Sequence, residues 1–210
     1  MIVPTMSRDE IIKELKSDYE IVLRKIGYVF DKENKIVLRN KKYPIIKTYR
    51  YKSPVKKNTW VFGFQWYGKN NYMVMVFNYH YTNKGLMIAN FTVDSNKDFS
   101  TLNDGIVFYS SHFFERYNER GNIGLESTIE RAEKWFLDNM VISFSYGNEK
   151  EEDSSVCDIT GTDSSGGMLL GTSLRDKIII WNTYISNDML KGDQVKISKS
   201  QKEFLEDKIK

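Results

Sequence analysis

The chain has 210 residues, 40% hydrophobic, 14% aromatic and 28% charged, an ordinary globular composition whose three prolines exclude a Pro-rich linker. Its net charge of +3 is too mild to indicate nucleic acid by itself, and the single cysteine, Cys157, excludes an internal disulfide and a Cys-type zinc site. No apolar run approaches the roughly 20 residues of a membrane helix, and Met1–Ser7 has no basic stretch ahead of an apolar one, so we expect a cytoplasmic chain without a signal peptide.

Charge is unevenly placed. Residues 1–70 hold 16 Lys/Arg against 7 Asp/Glu. Much of the excess lies between Lys32 and Lys57, where Glu33 is the only acid. In chain order, Ser7-Arg8-Asp9-Glu10 has the spacing of a capping box. Ile11, Leu15, Tyr19, Val22 and Ile26 then recur at helical spacing, and Gly27 is the expected stop. The stripe reads as a core-facing surface. The basic stretch follows, with short strands expected at Val37-Leu38 and Tyr43–Ile46. Arg39, Lys41, Lys42, Lys47, Arg50 and Lys52 are its candidate phosphate contacts, and Tyr43, Tyr49 and Tyr51 its candidate stacking rings. The plainer reading is a lysine-rich edge kept soluble by charge.

Residues 59–93 predict three strands of a meander. Trp60, Phe62, Phe64 and Trp66 share one face, and Gly68–Asn71 and Thr82–Gly85 supply hairpin turns. His80 reads as a hydrogen-bonded sheet histidine. Asn96–Asp104 is a polar loop and the best seam between an N-terminal part, 1–95, and a C-terminal part, 96–210. Gly105–Tyr109 is a short strand. A helix over Leu125–Asp138 would bury Leu125, Ile129, Ala132 and Phe136 and pair Glu130 with Lys134. Strands are expected at Met140–Tyr146, Val156–Thr160, Met168–Thr172 and Ile178–Ile185, the last as the most buried in the chain. A short helix capped by Ser186 and a charged helix over Ser200–Ile209 close the sequence. The fold class is therefore α+β: antiparallel sheets with an N-terminal helix, a central helix pair and a short C-terminal helix.

Between Tyr109 and Leu125 lies the segment Ser111-His112-Phe113-Phe114-Glu115-Arg116-Tyr117-Asn118-Glu119-Arg120-Gly121. At about 100° per residue, His112, Glu115, Arg116, Glu119 and Arg120 fall within an arc of roughly 140°. Phe113, Phe114 and Tyr117 fall opposite and should be buried. Glu115/Glu119 and Arg116/Arg120 are like-charge pairs at i,i+4. The His112–Glu115 and Arg116–Glu119 pairs at i,i+3 offset them. Helix stability alone does not select this row.

Three uses fit it. In metal-independent phosphodiester cleavage, His112 moves protons with Glu115 or Glu119 as partner, and Arg116 and Arg120 clamp phosphate. A metal site on His112, Glu115 and Glu119 is disfavoured, because the two arginines repel a divalent cation. In a non-enzymatic protein, the row holds nucleic acid or an acidic protein partner. The sequence has neither a P-loop nor a nucleophile elbow, and no cofactor is expected.

Ser111–Gly121 resembles the H-x-x-x-R-x-x-x-R-type helix of RelE/barnase-like ribonuclease toxins. The resemblance spans about residues 105–185. It implies an α+β domain in which the helix precedes an antiparallel sheet and a polar residue on a late strand joins the site. It carries over to His112, Arg116, Arg120 and Thr183, and implies RNA as substrate and a protein partner of antitoxin type. These toxins are roughly half this length, and the N-terminal 100 residues have no counterpart in them.

Overall fold

A computed structural model describes residues 1–93, 102–139, 142–147, 156–174 and 178–209. The chain divides into two compact units, Met1–Asp104 and Gly105–Lys210. Four α-helices and nine strands, mostly antiparallel, make it α+β among the described residues. None of the described helices is long and apolar enough to cross a membrane.

The first unit is a long helix on a four-stranded meander. Helix α1 (Arg8–Val37) starts at the expected capping box: Ser7 Oγ accepts from the Glu10 amide at 3.4 Å, and Glu10 Oε2 accepts from the Ser7 amide at 2.7 Å. It does not stop at Gly27. Ten further residues stay helical, because Val29, Phe30 and Val37 are buried. The Phe30 ring lies 5.5 Å from Phe64, 6.0 Å from Trp66 and 4.5 Å from Tyr72. Burial of such a ring outweighs the roughly 1 kcal/mol that a mid-helix glycine costs. Val37-Leu38 is accordingly the helix end and not a strand.

Strands β1 (Ile45–Lys52), β2 (Thr59–Trp66), β3 (Tyr72–Thr82) and β4 (Gly85–Val93) pair antiparallel in chain order. Both predicted hairpin turns are in place. The strand at Tyr43–Ile46 begins two residues later and runs six further, through the basic segment. The aromatic ladder of β2 faces α1: Tyr19 stacks on Trp60 at 5.6 Å and on Phe91 at 4.4 Å. Val61 and Phe77, whose side chains alternate to the other face, are buried as well. Strand β2, not Ile178–Ile185, is therefore the most continuously buried. Asp18 of α1 is fully buried, and one carboxylate oxygen accepts from Asn58 Nδ2 at 3.1 Å and Trp60 Nε1 at 2.8 Å.

His80 is buried in β3, as a sheet histidine should be. Asn78 Nδ2 donates to the Thr59 carbonyl, so Asn78 Oδ1 accepts from His80 Nδ1 at 2.8 Å. Burial disfavours the imidazolium and lowers the His80 pKa from 6.5 to about 4. Between these values the unfolded chain binds the proton and the folded chain does not. Stability is thus full above pH 6.5 and falls as pH drops toward 4. Urea unfolding at pH 7.5 and pH 4.5 should show His80→Gln losing about 2–3 kcal/mol less than the wild type across that interval. Equal losses would contradict this account of His80.

The second unit begins within β5 (Leu102–Ser110), which from Ile106 pairs parallel with β9 (Ile178–Ile185). This pair is parallel within a mostly antiparallel arrangement. Helices α2 (Ser111–Arg120) and α3 (Thr128–Asp138) follow β5, and β6 (Ser143–Tyr146), β7 (Val156–Thr162) and β8 (Met168–Leu174) extend the sheet antiparallel in the order β9-β8-β7-β6. Residues 140–141, 148–155 and 175–177 lie outside the described set, as does most of the polar loop Asn96–Asp104. Helix α4 (Asp193–Ile209) starts seven residues earlier than expected, just after Gly192.

The register of β9 shifts at Asn182. Gly171 faces Trp181, while Leu170 faces Thr183. This bulge puts Trp181 and Tyr184 on one face of the sheet. Gly171 is required beneath Trp181, since a Cβ there would lie 2.3 Å from the Ile180 carbonyl oxygen and 2.8 Å from the indole.

Candidate active site on helix α2

Helix α2 is built from its apolar side outward. Ser110 caps it, accepting from the Phe113 amide at 3.2 Å. Phe113 and Phe114 are fully buried and Tyr117 nearly so, as the helical arc requires. Phe113 meets Tyr109, Trp135 and Tyr184 edge-on at 5.1, 5.0 and 6.1 Å. Tyr117 meets Trp135 and Tyr184 at 4.9 and 5.5 Å and donates to Asp138 at 3.3 Å. Burial and the Asp138 carboxylate drive the Tyr117 pKa far up, so it stays a neutral donor. Helix α3 starts at Thr128 and not at Leu125; its buried residues are Ala132, Trp135 and Phe136, while Ile129 and, ahead of the helix, Leu125 are half-buried. Lys134 pairs with Asp138 at 2.7 Å.

Pairing between β5 and β9 ends at Tyr109–Trp181. Beyond it, α2 covers the edge of β9. Ser110 Oγ donates to the Asn182 carbonyl at 3.4 Å, and Arg120 Nη1 donates to the Tyr184 carbonyl. An open strand edge would otherwise present these carbonyls to solvent. Arg120 therefore has a structural task that the sequence row does not reveal: it fastens the last turn of α2 to β9.

The Tyr184 ring is fixed from its far end. Asp163, in the turn between β7 and β8, is 1% exposed. Its Oδ1 accepts from the Ser165 amide, the Ser165 hydroxyl and the Gly167 amide at 2.7–2.9 Å, and its Oδ2 accepts from the Tyr184 hydroxyl at 2.9 Å. Sequence reading treats this turn as a connector. Only the burial of Asp163 reveals that it aims the ring under α2.

The outward row consists of His112, Glu115, Arg116 and Glu119. His112 and Glu115 have side chains 52% and 50% exposed, reachable by a macromolecule. Glu115 Oε2 lies 3.6 Å from His112 Nδ1, and Arg116 Nε makes a long hydrogen bond of 3.4 Å to His112 Nε2. Arg116 Nη1 donates to Glu119 Oε2 at 2.8 Å. With an arginine N–H directed at Nε2, the lone pair is there and the ring proton is on Nδ1, toward the carboxylate. The row is thus an ordered chain, Glu115–His112–Arg116–Glu119.

Thr183 stands beside this assembly without joining its hydrogen bonds. It precedes Tyr184, whose carbonyl holds Arg120. Strand alternation turns its side chain to the face opposite the Tyr184 ring. No hydrogen bond among the described residues links it to His112 or Arg116.

In the first unit the predicted phosphate contacts do not form one patch. Arg39, Lys41 and Lys42 lie exposed in the connection after α1. Lys47, Arg50 and Lys52 lie on β1, where alternation puts Lys47 on the face of Tyr49 and Tyr51 and the other two on the opposite face. Tyr43 donates to the Val37 carbonyl at 3.3 Å. Among the described residues no group of three or more His, Cys, Asp or Glu is placed to hold a metal ion.

No family model matches the chain, and no curated protein or solved structure does either.

Proposed function

We propose that the second unit is a metal-independent ribonuclease-like domain acting through the exposed row of α2. The observation that supports it is the placement of His112: a carboxylate 3.6 Å from Nδ1 and an arginine N–H directed at Nε2, on a half-exposed face. A substrate hydroxyl taking Arg116's place at Nε2 meets a ring already in the tautomer of a general base. In this reading His112 Nε2 removes the proton of a ribose 2′-hydroxyl. The freed oxygen attacks phosphorus, and the P–O5′ bond breaks. The imidazolium, held by Glu115, returns the proton to the leaving 5′-oxygen. The 5′ side ends in a 2′,3′-cyclic phosphate, and no net proton is consumed. Arg116, steadied by Glu119, faces the charge that develops on the phosphoryl oxygens. Arg120, at the β9 edge, supplies a further donor, whereas Thr183 faces away from the row.

The test is chemical. Single-stranded RNA incubated with the protein in EDTA should be cut to fragments ending in 2′,3′-cyclic phosphate. Replacing the nucleotide 5′ of a cleaved bond by its 2′-deoxy analogue should abolish cutting there. Cleavage of the deoxy position, or cleavage only with added divalent metal, would refute the mechanism.

A second reading has its own support. Arg116 is already paired with Glu119, and Arg120 is engaged by the Tyr184 carbonyl. These links suit a static face that binds a protein partner, such as an antitoxin-like chain, without turnover. Binding of RNA or protein with no cleavage would favour it.

A further inference from the structure

The first unit holds a concavity of about 420 Å³ between α1 and β1. Its walls include Lys25, Tyr28, Lys32 and Glu33 from α1 and Tyr49 and Tyr51 from β1. Tyr28 is 67% exposed although it is a large aromatic side chain. Lys25 Nζ lies 5.3 Å from the Tyr28 ring centre and 5.9 Å from that of Tyr51. Neither Lys25 nor Lys32 makes an ion pair among the described residues. Tyr49 is stacked on Phe62 at 5.5 Å. Burial, followed by the nearby Glu33 carboxylate, pushes its pKa up to about 12. The concavity, which Arg50 also lines, thus combines two lysines outside any ion pair among the described residues, an exposed ring, and the Glu33 carboxylate near the Tyr49 hydroxyl.

We infer that this groove binds a nucleotide unit. A base stacks on Tyr28 beside Tyr51, entering where Lys25 now sits. Its phosphate is held by Lys25 and Lys32, which have no ion pair among the described residues to break. Glu33 accepts from an amino or hydroxyl donor of the ligand, so the site is not a bare anion trap. A fully apolar ligand would strand both lysines, and an anion without a ring would leave Tyr28 unused. The volume suits a single base with its sugar and phosphate. The unit is either free or part of a single strand; the recognition chemistry is the same. This inference concerns binding alone and does not depend on catalysis by α2.

The full chain can be tested with two probes that α2 chemistry cannot consume. One is a fluorescent ten-nucleotide 2′-O-methyl RNA, and the other is AMP or GMP monitored by calorimetry. Tyr28→Ala should weaken binding by about 5- to 100-fold, the range of one lost base stack. Lys25→Gln/Lys32→Gln should weaken the oligonucleotide and flatten its salt dependence by up to about 1.4 in log–log slope. Binding of the oligonucleotide alone identifies a strand segment as the ligand. Binding of the mononucleotide at comparable affinity identifies a free nucleotide. The inference is overturned if the wild type binds neither probe, or if both variants bind as the wild type does. Tyr28 and Lys32 are exposed, and circular dichroism of each variant verifies that α1 persists.

Discussion

Phe113→Ala should destabilise the second unit by about 3–5 kcal/mol, the cost of emptying a phenylalanine site in a closed core. The ring is 0% exposed and sits between Tyr109, Phe114, Trp135 and Tyr184, at 5.0–6.1 Å from each. These partners come from β5, α2, α3 and β9, so the cavity has no single neighbour free to collapse into it. The effect also reaches the candidate site. Helix α2 is held by this aromatic platform and by two hydrogen bonds to the edge of β9. Loosening the platform loosens His112. Glu119→Ala, on the opposite side of the same helix, removes an ion pair whose side chains are 38% and 60% exposed. Pairs so exposed contribute about 1 kcal/mol at most. Urea unfolding should therefore separate the two substitutions by a wide margin in midpoint at similar slope. Near-equal midpoints would mean that the aromatic cluster does not anchor α2.

That division of α2 into an aromatic and an ionic side is legible in the sequence, because it follows from helical spacing alone. The strands of the first unit are legible for the same kind of reason: alternation of aromatic residues and turn chemistry at Gly68–Asn71 and Thr82–Gly85 are local signals. What depends on distant partners is not legible. Gly27 looks like a stop until Phe30 is seen to pack on Trp66 and Tyr72. Trp135 is absent from the predicted stripe of α3, because spacing from Leu125 passes it by and the fold buries a position one step around the helix. Arg120 reads as a phosphate clamp, yet its bond to Tyr184 exists only because the pairing of β5 with β9 ends at Tyr109. The basic stretch reads as one patch, but β1 turns alternate residues to opposite faces. The groove at Tyr28 joins residues more than 20 positions apart, beyond the reach of any local pattern.

The second large effect is catalytic. His112→Ala should lower RNA cleavage by about 10²-fold or more, the usual contribution of a positioned acid–base residue. Its side chain is half exposed, and none of its described contacts is to the core, so the substitution should leave the urea midpoint within about 0.5 kcal/mol of wild type. Glu115→Gln should act through the histidine. The ring loses its carboxylate neighbour 3.6 Å from Nδ1, and the rate falls while a neutral partner still stands beside Nδ1. An unfolded variant would lose both cleavage and cooperative unfolding, which keeps a structural defect distinct from a chemical one.

The most direct measurement is the rate of single-stranded RNA cleavage in EDTA by purified wild-type protein and by His112→Ala at matched concentration, with the unfolding midpoint of both recorded. The proposed chemistry predicts cleavage by the wild type, a loss of about 10²-fold or more in the variant, and unchanged stability. Cleavage that survives in His112→Ala, or its absence from the wild type, would contradict it.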